Sequence, residues 1–266
     1  MRCLFPLVTK MFVPSSQMIG TGIRGTDENV GSIADLLFDT DTWVVRHVVV
    51  DTGKWLPGRQ VLIPPTTLET RDWPAGSAGV RLSRQQVKES PPLEDDRPVS
   101  RQLETELYQY YSVPYYWGPT GAPLAAGDYT PVPFGLNPAL PKEPQEAPQS
   151  VAHSESNHLR SVSEVTGYYI RAADDDIGHV EEFLIDDSDW ALRYFVIDTR
   201  NWLPGRKVLV ARDWVDAFSW SDSTVSVGLT KEQIKQSPEF DLTQSIDRAY
   251  EERLHGHYGR GGYWMM

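Results

Sequence analysis

The chain has 266 residues, a formal net charge of −12, an isoelectric point near 4.9 and a single cysteine, Cys3. Its acidity disfavours direct binding of nucleic acid, because phosphate contacts require clustered lysine and arginine. One cysteine excludes an intrachain disulfide and any metal site built on several cysteines. No stretch approaches the ~18–20 apolar residues of a membrane helix, and Met1 to Val13 lacks an uninterrupted signal-peptide core. We therefore expect a cytoplasmic protein without an integral membrane segment.

The first half of the chain is predicted to form short strands. Its apolar stretches are brief, rich in β-branched residues and separated by turn residues, which is typical of strands. Strands joined by such short turns favour a meander that closes toward a small barrel. The predicted strands are residues 18–25, 33–38, 44–50, 61–63, 67–73 and 79–82.

Two short helices are expected to follow these strands. Ser83 lies three residues before Gln86, which is the spacing of a capping box. Pro91 ends this helix, because a proline disfavours helical backbone at the residue before it. A second helix is indicated by apolar residues spaced four apart, which form one apolar stripe. These residues are Val99, Leu103, Leu107 and Tyr111.

Residues 119–162 are predicted to be a linker. They contain 8 of the chain's 20 prolines, followed by serines and histidines, with almost no periodic apolar signal. Proline fixes the backbone angle φ and removes a hydrogen-bond donor, so such a segment favours extended polyproline geometry. We expect it to act as a semi-rigid spacer.

The second half of the chain repeats the first without a gap. Residues 16–118 align with residues 163–265 at a constant offset of 147, which is the difference between Gly178 and Gly31. This period is far longer than the roughly 20–50 residues of a solenoid repeat, so each copy should have its own hydrophobic core. We predict two all-β modules, residues 16–118 and 163–266, each ending in short helices.

Motifs shared by both halves resemble the PRC-barrel family. They are Gly31 and Gly178 with the Leu-Phe-Asp or Leu-Ile-Asp that follows each, the strands that end at Asp51 and Asp198, and the Leu-Pro-Gly-Arg turns. The resemblance covers about residues 18–92 and 165–239. This family includes the cytoplasmic domain of the photosynthetic reaction-centre H subunit and the C-terminal domain of the 16S rRNA-maturation factor. The resemblance implies a small β-barrel used for assembly or protein docking, with no catalytic residue to transfer.

Three functions stay open. The leading hypothesis is a non-enzymatic tandem of PRC-barrels that binds a protein of unknown identity, with a homodimer as one form of that interaction. The alternatives are a peripheral component related to the reaction-centre H subunit, in an electron-transfer complex, and a ribosome or rRNA-maturation accessory protein. The sequence shows neither the transmembrane helix of the first relative nor the N-terminal RNA-processing barrel of the second.

The predicted interaction surface combines two aromatic-rich features. Tryptophan and arginine in the repeated turns are enriched at interface hot spots. The alternative, which we favour for these turns, is structural, because Pro-Gly suits a type II turn, Trp supplies buried area and Arg pairs with a carboxylate. The aromatic segments that end the modules either pack on their own barrel or form an interface. The residues concerned are Trp55, Arg59, Trp202 and Arg206 in the turns, and Tyr115, Tyr116, Trp117, Tyr263 and Trp264 in the segments.

No sequence pattern indicates an enzyme or a cofactor. The glycines at Gly20, Gly22 and Gly25 match a dinucleotide fingerprint, which requires a buried strand before it and a helix after it. The preceding residues do not read as such a strand, and the second copy replaces two of the glycines, so we expect turn glycines. The usual nucleophile, zinc and phosphate-loop signatures are absent.

Acidic turns and histidines offer no complete metal site. The runs 174–176 and 186–189 contain several aspartates, which hard cations prefer. Carboxylates at turns more commonly accept local backbone N–H groups. His255 and His257 are expected in a flexible tail, since two ligands without partners make a weak site.

Overall fold

The structure is a computed structural model that describes residues 12–93, 99–117, 158–199, 206–241 and 246–265. It divides into two compact units. We call residues 17–161 the first unit, and residues 1–16 together with 162–266 the second unit.

The first half of the chain begins with a short strand and helix and continues with further strands and then two helices. Its elements are β1 (Phe12–Pro14), α1 (Ser15–Met18), β2 (Gly22–Arg24), β3 (Asn29–Asp39), β4 (Val45–Asp51), β5 (Gln60–Ile63), β6 (Leu68–Asp72), β7 (Ser77–Val80), α2 (Arg84–Glu89) and α3 (Arg101–Tyr110).

The second half has the same order of elements. They are β8 (Leu159–Ser161), α4 (Val162–Val165), β9 (Tyr169–Arg171), β10 (Asp176–Asp186), β11 (Leu192–Asp198), β12 (Lys207–Ala211), β13 (Val215–Ser219), β14 (Thr224–Val227), α5 (Lys231–Lys235) and α6 (Arg248–His257).

Each unit is built on one seven-stranded sheet. The strand order is β5-β4-β3-β2-β7-β6 in the first unit, with β8 paired to β3, and β12-β11-β10-β9-β14-β13 in the second, with β1 paired to β10. Only the β2–β7 and β9–β14 pairs are parallel among these ladders. Equivalent strands take equivalent places, which confirms the predicted all-β class.

The core of each unit lies on its central strands. β4 is buried along its length except at Asp51, and β11 is buried except at Arg193. Strands covered on both faces read as continuous apolar runs, which explains the valine-rich sequence of β4. Ile33, Leu36 and Phe38 of β3 are also fully buried.

Two glycines of the repeated motif allow a close approach between neighbouring strands. Gly31 has a φ of +149°, and a Cβ atom there would lie 2.1 Å from the Asp51 carbonyl oxygen. Gly178 has a φ of +137°, and its Cβ would lie 2.0 Å from the Asp198 carbonyl oxygen. Both contacts are far inside van der Waals range, so only glycine fits these positions.

Both predicted capping boxes are present. Ser83 Oγ accepts a hydrogen bond from the Gln86 N–H at 3.2 Å, and Gln86 Oε1 accepts from the Ser83 N–H at 2.8 Å. Thr230 and Gln233 make the same reciprocal pair at the start of α5. These helices start as predicted because a capping box depends only on residues three apart.

The beginning of the first module differs from the prediction. Residues 18–25 were expected to form one strand, but Met18 ends helix α1 and β2 starts only at Gly22. Gly20 has a φ of +90° in the turn between them. β2 is followed by a turn and then by β3, not by a helix. Gly20 and Gly25 therefore lie outside the strands and Gly22 begins β2, so the helix that a dinucleotide fingerprint requires after its glycines does not follow them.

The two halves exchange one strand each. β1 pairs antiparallel with β10, placing Phe12 opposite Asp186, and β8 pairs antiparallel with β3, placing Leu159 opposite Asp39. Phe12 and Leu159 in the exchanged strands are 147 residues apart, as are their partners Asp39 and Asp186, so the two pairings are equivalent. Residues 159–161, assigned from the sequence to the end of the linker, thus form a strand in the first unit.

Candidate functional site

The repeated turn of the first unit holds Trp55 in a fixed position. Trp55 ends a short 3₁₀ helix, Gly53–Trp55, that follows β4. Its Nε1 donates a hydrogen bond to the Val30 carbonyl at 2.8 Å, and the Arg84 guanidinium lies 4.4 Å from the ring centroid. The side chain is half-buried. Its polar atom is therefore satisfied inside the fold while part of the ring remains exposed.

The arginines of the two turns hold the ends of helices. Arg59 Nη1 donates to the Lys88 carbonyl at 2.8 Å, and its Nη2 donates to the Ser90 carbonyl. Arg206 makes the equivalent two bonds at the end of α5. The last carbonyls of a helix have no helical N–H partner, so these cations satisfy them. The sequence had suggested a carboxylate as the partner of each arginine, whereas the structure shows backbone carbonyls.

An open depression borders this turn in the first unit. It has a volume of about 640 Å³ and is lined by Asp51, Gly53, Lys54, Pro57, Gly58, Arg59 and Gln60. Its walls combine one carboxylate, two cations and a Pro-Gly turn. Trp202 of the second turn, with the rest of residues 200–205, lies outside the described residues.

The aromatic segment of the first unit packs largely on its own unit. Tyr116 is 1% exposed and Trp117 is 5% exposed, whereas Tyr115 is half-buried. The Arg46 guanidinium lies 4.0 Å from the Tyr116 ring centroid, and the Arg101 guanidinium lies 4.5 Å from that of Trp117. Of the three predicted surface residues in this segment, only Tyr115 leaves part of its ring exposed.

The aromatic segment of the second unit is half-buried. Tyr263 and Trp264 belong to a short 3₁₀ helix, Tyr263–Met265. The Arg193 guanidinium lies 4.2 Å from the Tyr263 ring centroid, and that of Arg248 lies 4.0 Å from the Trp264 ring centroid. Cations over aromatic faces stabilise such contacts, so arginines fix both segments in place.

A buried carboxylate lies beneath the aromatic segment of the first unit. Glu104 of α3 is fully buried. His47 Nε2 and the Tyr116 hydroxyl lie 3.1 and 2.6 Å from its Oε1, and His158 Nε2 and Arg101 Nη1 lie 2.7 and 3.0 Å from its Oε2. Burial alone raises the pKa of Glu104, but hydrogen bonds from His158 and His47 and the charge of Arg101 lower it to about 2. The carboxylate is therefore ionised at neutral pH and bonded on both oxygens.

The second unit has an equivalent carboxylate. The Tyr194 and Tyr263 hydroxyls each lie 2.8 Å from Glu251 Oε1, and Arg248 Nη1 lies 3.0 Å from Oε2. Burial, followed by the charge of Glu251, raises the pKa of Tyr194, so this hydroxyl stays protonated and donates. The offset of 147 relates Glu251 to Glu104, while Tyr194 takes the place of the first unit's imidazole at His47.

The expectation of a flexible tail around His255 was wrong. His255 is buried on helix α6, with Nε2 3.1 Å from the Tyr194 hydroxyl and Nδ1 3.1 Å from the Gly261 carbonyl. His257 lies on the same helix and is exposed. Burial lowers the pKa of His255, which favours the neutral ring. This histidine belongs to the packing around Glu251.

The turn aspartates take up local hydrogen bonds, as the structural interpretation predicted. Asp39 Oδ1 accepts from the Thr42 N–H and the Thr42 hydroxyl, each at 2.8 Å. Asp186 Oδ1 accepts from the Ser188 N–H at 3.1 Å and from its hydroxyl at 2.6 Å. In the described part of the chain, no group of three or more potential ligands from His, Cys, Asp and Glu is arranged to hold a metal ion.

Comparison with known families supports the resemblance found in the sequence. The model of the PRC-barrel domain family matches residues 11–74. Residues 11–74 are therefore similar to the PRC-barrel domain, a family of non-catalytic modules. The second half shares its strand order and its motif residues at the constant offset. No curated protein matches the chain. Among the described residues, no helix has the length and apolar character to cross a membrane.

The two buried carboxylates were missed by sequence reasoning. Glu104 and Glu251 are charged residues on helices, and such residues usually face solvent. One signal was present: glutamate recurs at this offset together with Arg101 and Arg248, three residues earlier on the same helices. Recurrence of an acid with the same cation indicates that the ion pair is retained on both helices.

Proposed function

We propose that this chain is a non-enzymatic, cytoplasmic protein-interaction or assembly module, and that the turn around Trp55 is its docking surface. The observation that carries the proposal is the internal anchoring of this turn, in which Trp55 and Arg59 both use polar atoms to bind backbone carbonyls. A surface that is fixed before binding loses little conformational entropy when a partner docks. Tryptophan and arginine are also the residue types enriched at interface hot spots.

The polar groups of the first unit support a binding role rather than a catalytic one. Glu104 is buried and bonded to four side chains. Asp51, the carboxylate of the depression, accepts the Gly53 N–H at 2.8 Å. Catalysis requires an acid, a base or a nucleophile placed against a substrate. The depression instead presents an exposed Lys54 beside a Pro-Gly turn.

The test is affinity purification of the tagged chain at native expression, followed by quantitative proteomics. The double variant Lys54→Glu with Trp55→Ala removes the exposed charge and the ring. Tyr169→Ser is the control, because Tyr169 is 63% exposed and lies in the second unit. We expect a protein partner that copurifies with the wild-type chain and with the control but is lost with the double variant.

The same experiment separates the alternatives. Recovery of a membrane electron-transfer complex would support a role related to the reaction-centre H subunit, and recovery of ribosomal proteins would support rRNA maturation. Thermal unfolding of the double variant checks that the first unit remains folded. The proposal fails if no protein is enriched, if a folded double variant retains its partner, or if the purified chain converts a small metabolite.

A further inference from the structure

We propose that a second copy of this chain is a partner, and that two copies assemble by exchanging β1 and β8 between molecules. This inference rests on the proposed assembly function and names one partner for it. The structure already contains the exchange within one chain, since β8 completes the sheet of the first unit and β1 that of the second.

The acceptor edge of β3 suits the strand of either repeat. β4 pairs along one edge of β3, while β2 and β8 pair in succession along the other, opposite residues 29–32 and 37–39. Both β2 and β8 run antiparallel to β3. β1 precedes β2 in the sequence, so β8 occupies the place that β1 would take if the first module kept its own strand. An acceptor that binds the strand of a sister repeat also fits that strand from another molecule.

Side chains anchor the donated β1 in the second unit. The hydroxyl groups of Ser15 and Ser16 donate to Glu182 Oε1 and Oε2 at 2.5 and 2.6 Å, and the Ser16 N–H donates to Oε1 at 2.8 Å. Val13 in the middle of the strand is buried. Charge-assisted hydrogen bonds to a carboxylate are among the stronger polar contacts. Side-chain contacts therefore stabilise the pairing of β1 with β10 in addition to the backbone hydrogen bonds.

Equivalent contacts anchor β8 in the first unit. The Ser161 hydroxyl donates to Asp35, the residue equivalent to Glu182. His158 contacts Glu104 at 2.7 Å, and its carbonyl accepts the Thr40 N–H at 2.9 Å. Each contact joins a donor segment to an acceptor module. None depends on whether the two belong to the same chain.

The protein concentration then decides whether β1 and β8 are exchanged within one chain or between two chains. Each donor strand is joined to its own repeat through a four-residue helix, α1 or α4, and such short hinges are the elements that change in domain swapping. Because the contacts are the same within and between chains, the tether between repeats sets the balance through its effective concentration, which is on the order of millimolar for short flexible linkers and lower for longer ones. Chains that refold well below this concentration should close on themselves. Chains that refold near it should exchange strands between molecules.

The experiment places one cysteine on each side of the β3–β8 ladder in separate full-length chains. In a Cys3→Ser background, one chain carries Leu37→Cys and the other Ser161→Cys, since these two residues lie opposite each other. Opposed Cα atoms in an antiparallel ladder are about 4.5–5.5 Å apart, which a disulfide can bridge. The two chains are unfolded, mixed, refolded together and oxidised at concentrations from about a hundredfold below millimolar up to millimolar. We expect a covalent heterodimer whose yield rises with concentration.

Two controls make the outcome decisive. A single chain with both L37C and S161C must form the internal disulfide, which shows that the ladder forms in the variants. A mixture of S161C with the exposed-site variant Lys54→Cys measures random oxidation. The proposal is overturned if the internal disulfide forms but the heterodimer never exceeds this background. Leu37 and Ser161 do not line the depression beside the docking turn, so that result would not count against the proposal that this turn is a docking surface. If strands are exchanged between molecules but no protein copurifies with the chain, only the proposal that the turn around Trp55 is a docking surface is rejected.

Discussion

Replacing Glu104 by glutamine should remove an acid-sensitive contribution to the stability of the first unit. The ordinary pKa of this carboxyl is 4.5, and its pKa in the folded protein is about 2. That difference corresponds to about 3 kcal/mol of stability from the ionised group. The folded pKa lies below the unfolded one, so the stabilisation is complete above about pH 4.5 and is lost as the pH falls toward 2.

Urea unfolding followed by hydrogen–deuterium exchange resolves the two units by their peptides. At pH 7 we expect Glu104→Gln to lower the free energy of unfolding of the first unit by about 3 kcal/mol. The second unit should be unchanged. The difference between wild type and variant should shrink as the pH falls from 4.5 toward 2, because the wild-type carboxyl then becomes protonated.

Glu251→Gln is the matched control, since Glu251 is the equivalent residue of the second unit. It should weaken the second unit and leave the peptides of the first unaffected. The reasoning is refuted if Glu104→Gln costs less than about 1 kcal/mol at pH 7, or if its cost is the same at pH 3. Either result would show that the carboxylate is not held ionised by His47, His158 and Arg101.

Three further variants test local contacts in the two units. Gly31→Ala places a Cβ against the Asp51 carbonyl and should destabilise the first unit by about 1–3 kcal/mol in chemical denaturation; an unchanged midpoint would show that the strands do not approach so closely. Arg59→Ala removes the two bonds to the end of α2 and should cost about 1–3 kcal/mol, with faster amide exchange in α2. His255 has a lowered pKa, so the second unit should lose stability as the pH falls below the ordinary value of 6.5, and His255→Phe should remove that pH dependence.

Local signals account for the parts of the fold that the sequence predicted. The β-branched residues of Val44 to Val50 indicated β4, because side-chain branching favours extended backbone. The Ser83–Gln86 spacing located α2, because a capping box involves only neighbouring residues. Each of these signals lies within a few positions of the element it predicts. The constant offset then extended every such prediction to the second half.

Strand exchange could not be predicted in this way. β1 and β8 are three residues long, too short for a period-2 pattern to show, and Pro14 argues against a strand. The partner of β1 lies in the other repeat, opposite Asp186, and no local pattern specifies a pairing over such a separation. The burial of Tyr116 likewise follows from contacts with Glu104 and Arg46 that only the fold brings together.

The most direct test of the account asks which strand completes the first unit in a dilute, folded chain. Two full-length proteins in the Cys3→Ser background carry Leu37→Cys together with either Ser161→Cys or Pro14→Cys, and mass spectrometry after oxidation identifies the disulfides. Strand exchange predicts a disulfide between positions 37 and 161 and none between 37 and 14, because Leu37 faces Ser161 whereas Pro14 faces Leu184. A disulfide between positions 37 and 14, with none to 161, would show that each module keeps its own strand and would contradict the exchange.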